Sequence, residues 1–315
     1  MRLLFSVSFC LLFIAAAAQN LLPTPRNIQA TYDKGTRSVD GKPGKSYWQN
    51  TADYDLSVSY APDTRLLSGT VDINYTNNSP DPLRSTLFKL YPNYYKKGAP
   101  RESAVSPDDL TDGVVIEEIS AGGKTIDVSK LRIDNTNMMV GNPEPLATGK
   151  SIHFTIKYHY TLNKGSHMRT GEIEPNAAFI AYFFPRVAVY DDIDGWNTYP
   201  YNGSQEFYND FCHFKATIKV PQNFIVWATG DLKNGQDIIT PKYYQRLQQA
   251  EQSDEVTTII DTTDLPNKDF TGTSPFYSWQ FEAGNVTDFV FALSDHYIWK
   301  SSSLVVDPQT KRRTR

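Results

Sequence analysis

Apolar and polar residues alternate with a period of two along most of the chain after Tyr47. In "DYDLSVSY", Tyr54, Leu56, Val58 and Tyr60 alternate with Asp53, Asp55, Ser57 and Ser59. A turn, "APDTRL", follows, and "SGTVDINYT" then places Val71, Ile73 and Tyr75 on one side. This is a strand–turn–strand signature. "SIHFTIKYHYTL" and "HFKATIKVP" repeat the alternation, and "TLFKLYPN", "FIAYFFPRVAVY", "NFIVWATGDL", "YSWQFEAGN" and "DFVFALSDHYIW" read as further strands. One face of such strands packs a core while the other meets solvent, as in antiparallel sheets. Helical signals are few. "TPKYYQRLQQAEQSDEV" fits best, with Thr240 as a cap and Pro241 in the first turn. The expected fold is mostly β: curved antiparallel sheets forming a saddle or sandwich-like domain, with one or two short helices.

The ends of the chain follow different rules. "MRLLFSVSFCLLFIAAAAQN" places Arg2 before an apolar run that ends in four alanines, the pattern of a cleavable export signal over 1–18. The run is short for a membrane span, and nothing else approaches about 18 apolar residues. Residues 19–46 lack periodicity and read as a flexible leader. At the other end, "SSSLVVDPQTKRRTR" reads as a strand, a turn at Asp307-Pro308-Gln309 and the start of a return strand that stops before it pairs. After removal of the signal, Cys212 is the sole cysteine, so no intramolecular disulfide is available and stability rests on a core. Localisation is expected to be secreted or periplasmic. A net charge of −4 argues against nucleic acid as the main partner.

A search for catalytic groups finds little. Zinc needs three or four converging ligands. His153 and His159 share one strand face but stand roughly 20 Å apart. No G-x-S-x-G elbow and no phosphate loop is present. Cys212 and His213, as strand neighbours, point to opposite faces and do not make a thiolate–imidazole pair. The acidic stretch "YDDIDGW" holds Asp191, Asp192 and Asp194; it begins like a calcium loop, but the pattern fails beyond Gly195. The structural reading is a carboxylate- and glycine-rich turn, with Arg186 paired to one of its carboxylates.

Three blocks then acquire a common meaning. "YWQNTADYDLSVSYAPDTRLLSGTVDINYTNNSPDPLRSTLFKLYPN", "FFPRVAVYDDIDGWNTYPYNGSQEFYNDFCHFKATIKVPQNFIVWATGDL" and "FEAGNVTDFVFALSDHYIW" resemble, in this order, the N-terminal region of secreted bacterial zinc metallopeptidases of the aminopeptidase N family. Phe184-Pro185, a nearby acidic pair and "FKATIKVP" resemble that family's F-P-x-x-D-E-P…K-A-T-F signature, although about twenty residues separate the pair from Phe214. The resemblance implies an N-terminal β-domain over 47–300, with 301–315 starting a catalytic domain that is otherwise missing. Zinc, in this family, is bound by that domain through H-E-x-x-H and a second glutamate, motifs absent here. None is expected on this chain, whose partners would be the catalytic domain and a peptide substrate. The resemblance also implies an acidic residue, a little before the F-P motif, that holds the substrate's α-amine; by spacing Glu172 or Glu174 fills that place, and Glu206 in "GSQEFY" is the other candidate. The competing expectation is a self-sufficient secreted β-sandwich that binds a glycan or protein. Bare apolar area around Phe183, Tyr190, Trp196 and Phe207 would favour the peptidase-domain reading.

Overall fold

Alternation is realised as an eight-stranded sheet in the computed structural model, which describes residues 22–314. The export signal expected over 1–18 lies outside the described residues. In spatial order the strands are Asp231–Leu232, Phe276–Val286, Cys212–Pro221, Thr51–Ala61, Leu66–Asn77, Lys150–Thr161, Val115–Ala121 and Lys124–Thr125. Along Thr51–Ala61, Tyr54, Leu56, Val58 and Tyr60 are buried, while Asp53, Asp55 and Ser57 are exposed. Neighbours run antiparallel with one exception: Thr51–Ala61 and Cys212–Pro221 are parallel, Tyr54 opposite Phe214. Alternation could not reveal this, because side chains alternate identically in both kinds of ladder.

Two four-stranded sheets share the core with the large one. The first has the order Ile225–Ala228, Phe291–Ser294, Ala177–Ile180, Gly171–Glu174; the second has Arg186–Val187, Leu83–Lys89, Asn137–Leu146, Arg132–Asp134. Ile73, Phe154 and Ile218 from the large sheet join Ile180 and Leu293 from the first and Phe88 and Val140 from the second in one hydrophobic cluster. The class is mostly β and sandwich-like, as the pattern predicts.

The expected strand "FIAYFFPRVAVY" is broken. Ala177–Ile180 and Arg186–Val187 belong to different sheets, and Tyr182 between them has φ 41°. Non-glycine residues rarely adopt a positive φ, so the chain changes sheets at this point. There Phe183 packs edge-on to Phe184 and Phe291, with centroids 5.1 Å apart in each case. Phe184 is edge-on to Tyr54 at 5.6 Å and to Phe214 at 5.9 Å, and Tyr54 stacks on Phe214 at 5.0 Å. Val187 N donates to the Tyr54 hydroxyl at 3.1 Å. Arg186, 1% exposed, pairs with Asp288 at 3.1 Å and not with the acidic turn.

Residues 22–48 and Asp192–Gly195 form a separate compact unit. The segment expected to be a loose leader contains a helix over Arg26–Asp33. Thr36 Oγ1 donates to Asp192 at 2.5 Å, and Arg37 donates to both oxygens of the same carboxylate at 2.9–3.1 Å. Burial alone would raise the Asp192 carboxyl, but Arg37 and Thr36 outweigh it and hold it below the ordinary range. Asp192 is therefore a structural latch. The helix has no apolar repeat to announce it, and just past its end Thr36 and Arg37 are tied to a carboxylate more than 150 residues away in sequence.

The C-terminal return strand, expected to stop unpaired, does pair: Leu304–Asp307 lies against Arg312–Thr314. Asp307 closes the turn by accepting from Gln309 N at 2.9 Å and Thr310 Oγ1 at 2.6 Å. The helix expected within 240–256 spans Pro241–Ala250. Its Lys242 and Arg246, one turn apart, donate to Asp264 at 2.5 and 2.6 Å.

Two stability predictions follow from these contacts. Phe184→Ala leaves a void between two sheets and should lower stability by about 3–5 kcal/mol in denaturant titration. Burial would raise Asp264, yet Lys242 and Arg246 hold it down at about 2 against an ordinary 3.8. A depressed acid stabilises the fold above its unfolded pKa and loses that contribution as pH falls through the folded value. The stability difference between wild type and Asp264→Asn should be flat above about pH 5 and shrink by about 2 kcal/mol on going down to about pH 2 and below, read from melting at a series of pH values.

Candidate functional site

Gly171–Glu174 is an edge strand, and its backbone explains where two of the candidate glutamates sit. Gly171 has φ 139°, and a Cβ there would lie 2.2 Å from the Gly165 carbonyl oxygen, so only glycine fits. Asn176, at φ 63°, turns the chain back so that Glu174 faces Ala177 and Glu172 faces Ala178. The two carboxylates meet different surroundings. Glu172 is largely covered, with Arg65 Nε 3.9 Å away. Glu174 is 52% exposed, and its Oε1 lies 3.3 Å from His296 Nε2. Burial, and then the nearby Glu174 carboxylate, raise the Tyr297 hydroxyl above its ordinary range. His296 Nδ1 is 2.7 Å from Asp295 Oδ1, and Lys268 Nζ is 2.9 Å from Asp295 Oδ2. Burial pushes Asp295 up, but the bonds from Lys268 and His296 keep it below the ordinary range. A Lys268–Asp295–His296–Glu174 chain thus ends on an open carboxylate that can take an ammonium group.

Glu206 belongs elsewhere. It sits in the loop 197–211, which is anchored by Phe207 against Tyr182, Tyr91 and Tyr201 at centroid distances of 4.6, 4.7 and 4.8 Å. Neither Phe183 nor Phe207 forms the bare patch expected around them: Phe183 is fully buried, and Phe207 packs on a tyrosine cluster, because both rings find aromatic partners within this chain. Tyr190 and Trp196 are half-buried, edge-on to one another at 5.1 Å. With Phe207 turned inward, Glu206 points out and is held by both Arg169 nitrogens at 2.7 and 2.9 Å. Among the described residues no bond links it to Glu172 or Glu174. The loop is stapled at its start: buried Lys89 donates to the Tyr199 carbonyl at 2.7 Å and to Asn137 Oδ1 at 2.8 Å. Desolvation without a carboxylate partner lowers Lys89 from 10.5 to about 8.

Sequence reasoning passed over the outer face of the large sheet. It is a trough of about 750 Å³ lined by Asp53, Asp55, Asp72, His153, His213 and Lys215, among others. His153 Nε2 lies 3.1 Å from Asp72, and His159 Nδ1 lies 2.6 Å from Glu117, so each imidazole has its own carboxylate. No group of three His, Cys, Asp or Glu suited to a metal ion occurs among the described residues. Alternation put these side chains outward; only register could show that Asp53 stands between Asn74 and His213. Cys212 is buried, and desolvation pushes its thiol up to about 11, so it is not poised as a nucleophile.

No protein-family model and no curated protein matches the chain. Solved structures do. An M1 zinc metallopeptidase from Deinococcus radiodurans aligns at 14% identity and TM-score 0.42, over 80% of this chain and 44% of its own. Legionella pneumophila aminopeptidase A, in complex with aspartic acid, aligns at 7% identity and TM-score 0.40, over 78% of this chain and 21% of its own. The chain thus spans less than half the length of either.

Lys89 gives the site loop a pH signature. A lysine whose pKa is depressed on folding opposes folding below the folded value, and the penalty is relieved as pH rises through the interval up to 10.5. Wild type should therefore gain about 3 kcal/mol relative to Lys89→Met between pH 7 and pH 11, measured by denaturant unfolding of both proteins. A pH-independent difference contradicts the buried charge.

Proposed function

We propose that this chain is the N-terminal β-domain of a secreted zinc metallopeptidase of the aminopeptidase N type, acting as scaffold and as the part that recognises the substrate's free α-amine. Localisation outside the cytoplasm rests on the leader "MRLLFSVSFCLLFIAAAAQN". The observation that carries the reading is the half-open carboxylate of Glu174, on the edge strand that precedes Phe184-Pro185. That is where the sequence resemblance implies an amine anchor. Of the three candidates, Glu206 is neutralised by a two-pronged arginine and Glu172 is largely covered beside Arg65. Supporting it, the three sequence blocks that carry the resemblance meet in one place, through Tyr54 of the first, Phe184 and Phe214 of the second, and Asp288 and Phe289 of the third.

In this reading the metal belongs to a catalytic domain outside these residues. The histidines described above do not fit zinc, so no step through a metal is derived for them. What this chain supplies is charge and position. Glu174 accepts a charge-assisted hydrogen bond from the ammonium of a peptide's first residue, which fixes how far the chain end enters a neighbouring cleft. The His296–Asp295–Lys268 chain, which reaches the carboxylate through His296 Nε2 at 3.3 Å, positions it.

The test uses L-leucyl-p-nitroanilide, L-leucinamide and N-acetyl-L-leucinamide. This chain alone should neither turn over the anilide nor retain stoichiometric zinc after dialysis, by absorbance and atomic absorption. In NMR titrations, L-leucinamide should shift the Glu174 and His296 resonances and the acetylated compound should not. Glu174→Gln should weaken the response about tenfold or more. Zinc retention, turnover, or equal shifts from the acetylated compound would each sink the proposal.

A further inference from the structure

The ion-paired set beside Glu174 carries an unbalanced charge. Its pairs join Lys268 to Asp295, Asp295 to His296 and His296 to Glu174. Two carboxylates against one lysine leave a net charge of −1 (−2 + 1) before the imidazole is counted. One further cation balances the set. Two sources can supply it: a proton on His296, or the ammonium of a ligand.

The placing of His296 makes these alternatives exclusive. Its ring lies between the two acids, with the Tyr297 ring edge-on at 5.2 Å, and its backbone N–H donates to Ser294 Oγ at 3.1 Å. Nδ1 stands 2.7 Å from Asp295 Oδ1, and Nε2 stands 3.3 Å from Glu174 Oε1. Asp295, paired with Lys268 at 2.9 Å, accepts. A neutral imidazole has one N–H and one lone pair. Here the N–H goes to Asp295 over the shorter distance, and the lone pair of Nε2 faces Glu174. Two acceptors then meet at 3.3 Å with no donor between them. The imidazolium resolves this by donating from both nitrogens. An ammonium resolves it differently, because its several N–H groups can answer Glu174 and the neutral Nε2 together. Bonding both at about 2.9 Å along tetrahedral directions needs the acceptors about 4–5 Å apart, so the carboxylate has to swing outward by about 1 Å. Glu174 is 52% exposed on an edge strand, and its side chain can make that swing without disturbing the core.

We propose that His296 is a second ligand of the amine. The ammonium is held between Glu174 and the neutral Nε2 of His296, and its arrival displaces the imidazole's proton. The Nε2–H bond breaks, its electron pair stays on nitrogen, and the proton leaves to water. Amine and proton therefore compete for one place, and acid weakens binding. This rests on the Glu174 anchor proposed above, to which it adds a contact and a proton.

Isopentylamine is the probe, because an alkyl ammonium stays charged to about pH 10 and carboxylates are ordinarily ionised above about pH 5, which leaves histidine to change charge in between. In NMR titrations read at Glu174, binding to wild type should tighten about tenfold between pH 5.5 and pH 7.5. By reciprocity, saturating amine should move the midpoint of the His296 ring-proton titration to lower pH. His296→Gln keeps an acceptor that does not titrate, so its binding should vary by less than about twofold over the same interval. An unmoved His296 midpoint, pH-independent wild-type binding, or a wild-type slope retained in His296→Gln overturns the competition and leaves the Glu174 anchor standing. Absence of any amine-induced shift at Glu174 overturns both. If circular dichroism shows His296→Gln unfolded, the wild-type midpoint decides alone.

Discussion

The contact of Tyr54 with Phe184 and Phe214 is the constraint on which the molecule depends. Tyr54 and Phe214 lie on the two parallel strands at the centre of the large sheet, while Phe184 arrives from the segment that links the two smaller sheets. Parallel neighbours need a long crossover, and everything between residue 61 and residue 212 is that crossover. The rings hold its middle against its two ends. Arg186 sits beside Phe184, its guanidinium 5.8 Å from the ring, with its Nε making no hydrogen bond among the described residues. Burying a guanidinium with a single carboxylate is costly, and burial raises Asp288 despite the attraction of Arg186. A group so hard to desolvate tolerates few alternative packings, which is a reason for this junction to have one arrangement.

The sequence made the faces of the strands legible and left their partners hidden. Every alternation in Thr51–Ala61, Lys150–Thr161 and Cys212–Pro221 puts the expected side chains inward. Direction, register and sheet membership require tertiary information, so the parallel pair and the break at Tyr182 were invisible. The aromatic residues show the limit most clearly. Phe183 and Phe207 occur in stretches without a clean period, where pattern cannot tell a surface ring from a core ring; each is decided by partners far along the chain, Phe291 for one and Tyr91 for the other. The Asp192 latch is the same case for charge. Arg186 is the nearer cation in sequence, but Arg37 is the one that reaches it.

Spacing before the F-P pair left Glu172 and Glu174 equivalent, with Glu206 of the later "GSQEFY" loop as the other candidate, because spacing counts residues and not neighbours. The structure separates them by what each already holds. Arg169 completes Glu206, Arg65 stands beside a covered Glu172, and only Glu174 combines solvent access with polar neighbours that orient it. His296 is legible as a histidine and nothing more until Asp295 and Glu174 are seen on either side of it.

The outer trough shows why many charged side chains in one concavity need not make a metal centre. Across one row of the ladder stand Glu282, Lys215, Asp55, Asp72 and Thr155. Lys215 lies between two acids, and Thr155 donates to Asp72 at 2.6 Å. Asp55 and Asp72 face one another directly, an arrangement that is unfavourable unless water separates the charges. The next row carries His213, Asp53, Asn74 and His153, with the acid in the middle and the imidazoles at the ends. Neighbouring strands are about 4.8 Å apart, so the two imidazoles stand some three strand spacings from each other, too far to share an ion held at ~2 Å. The edge strand Gly171–Glu174 differs from the trough in that a backbone turn ends the row there, and Glu174 keeps solvent access beside His296.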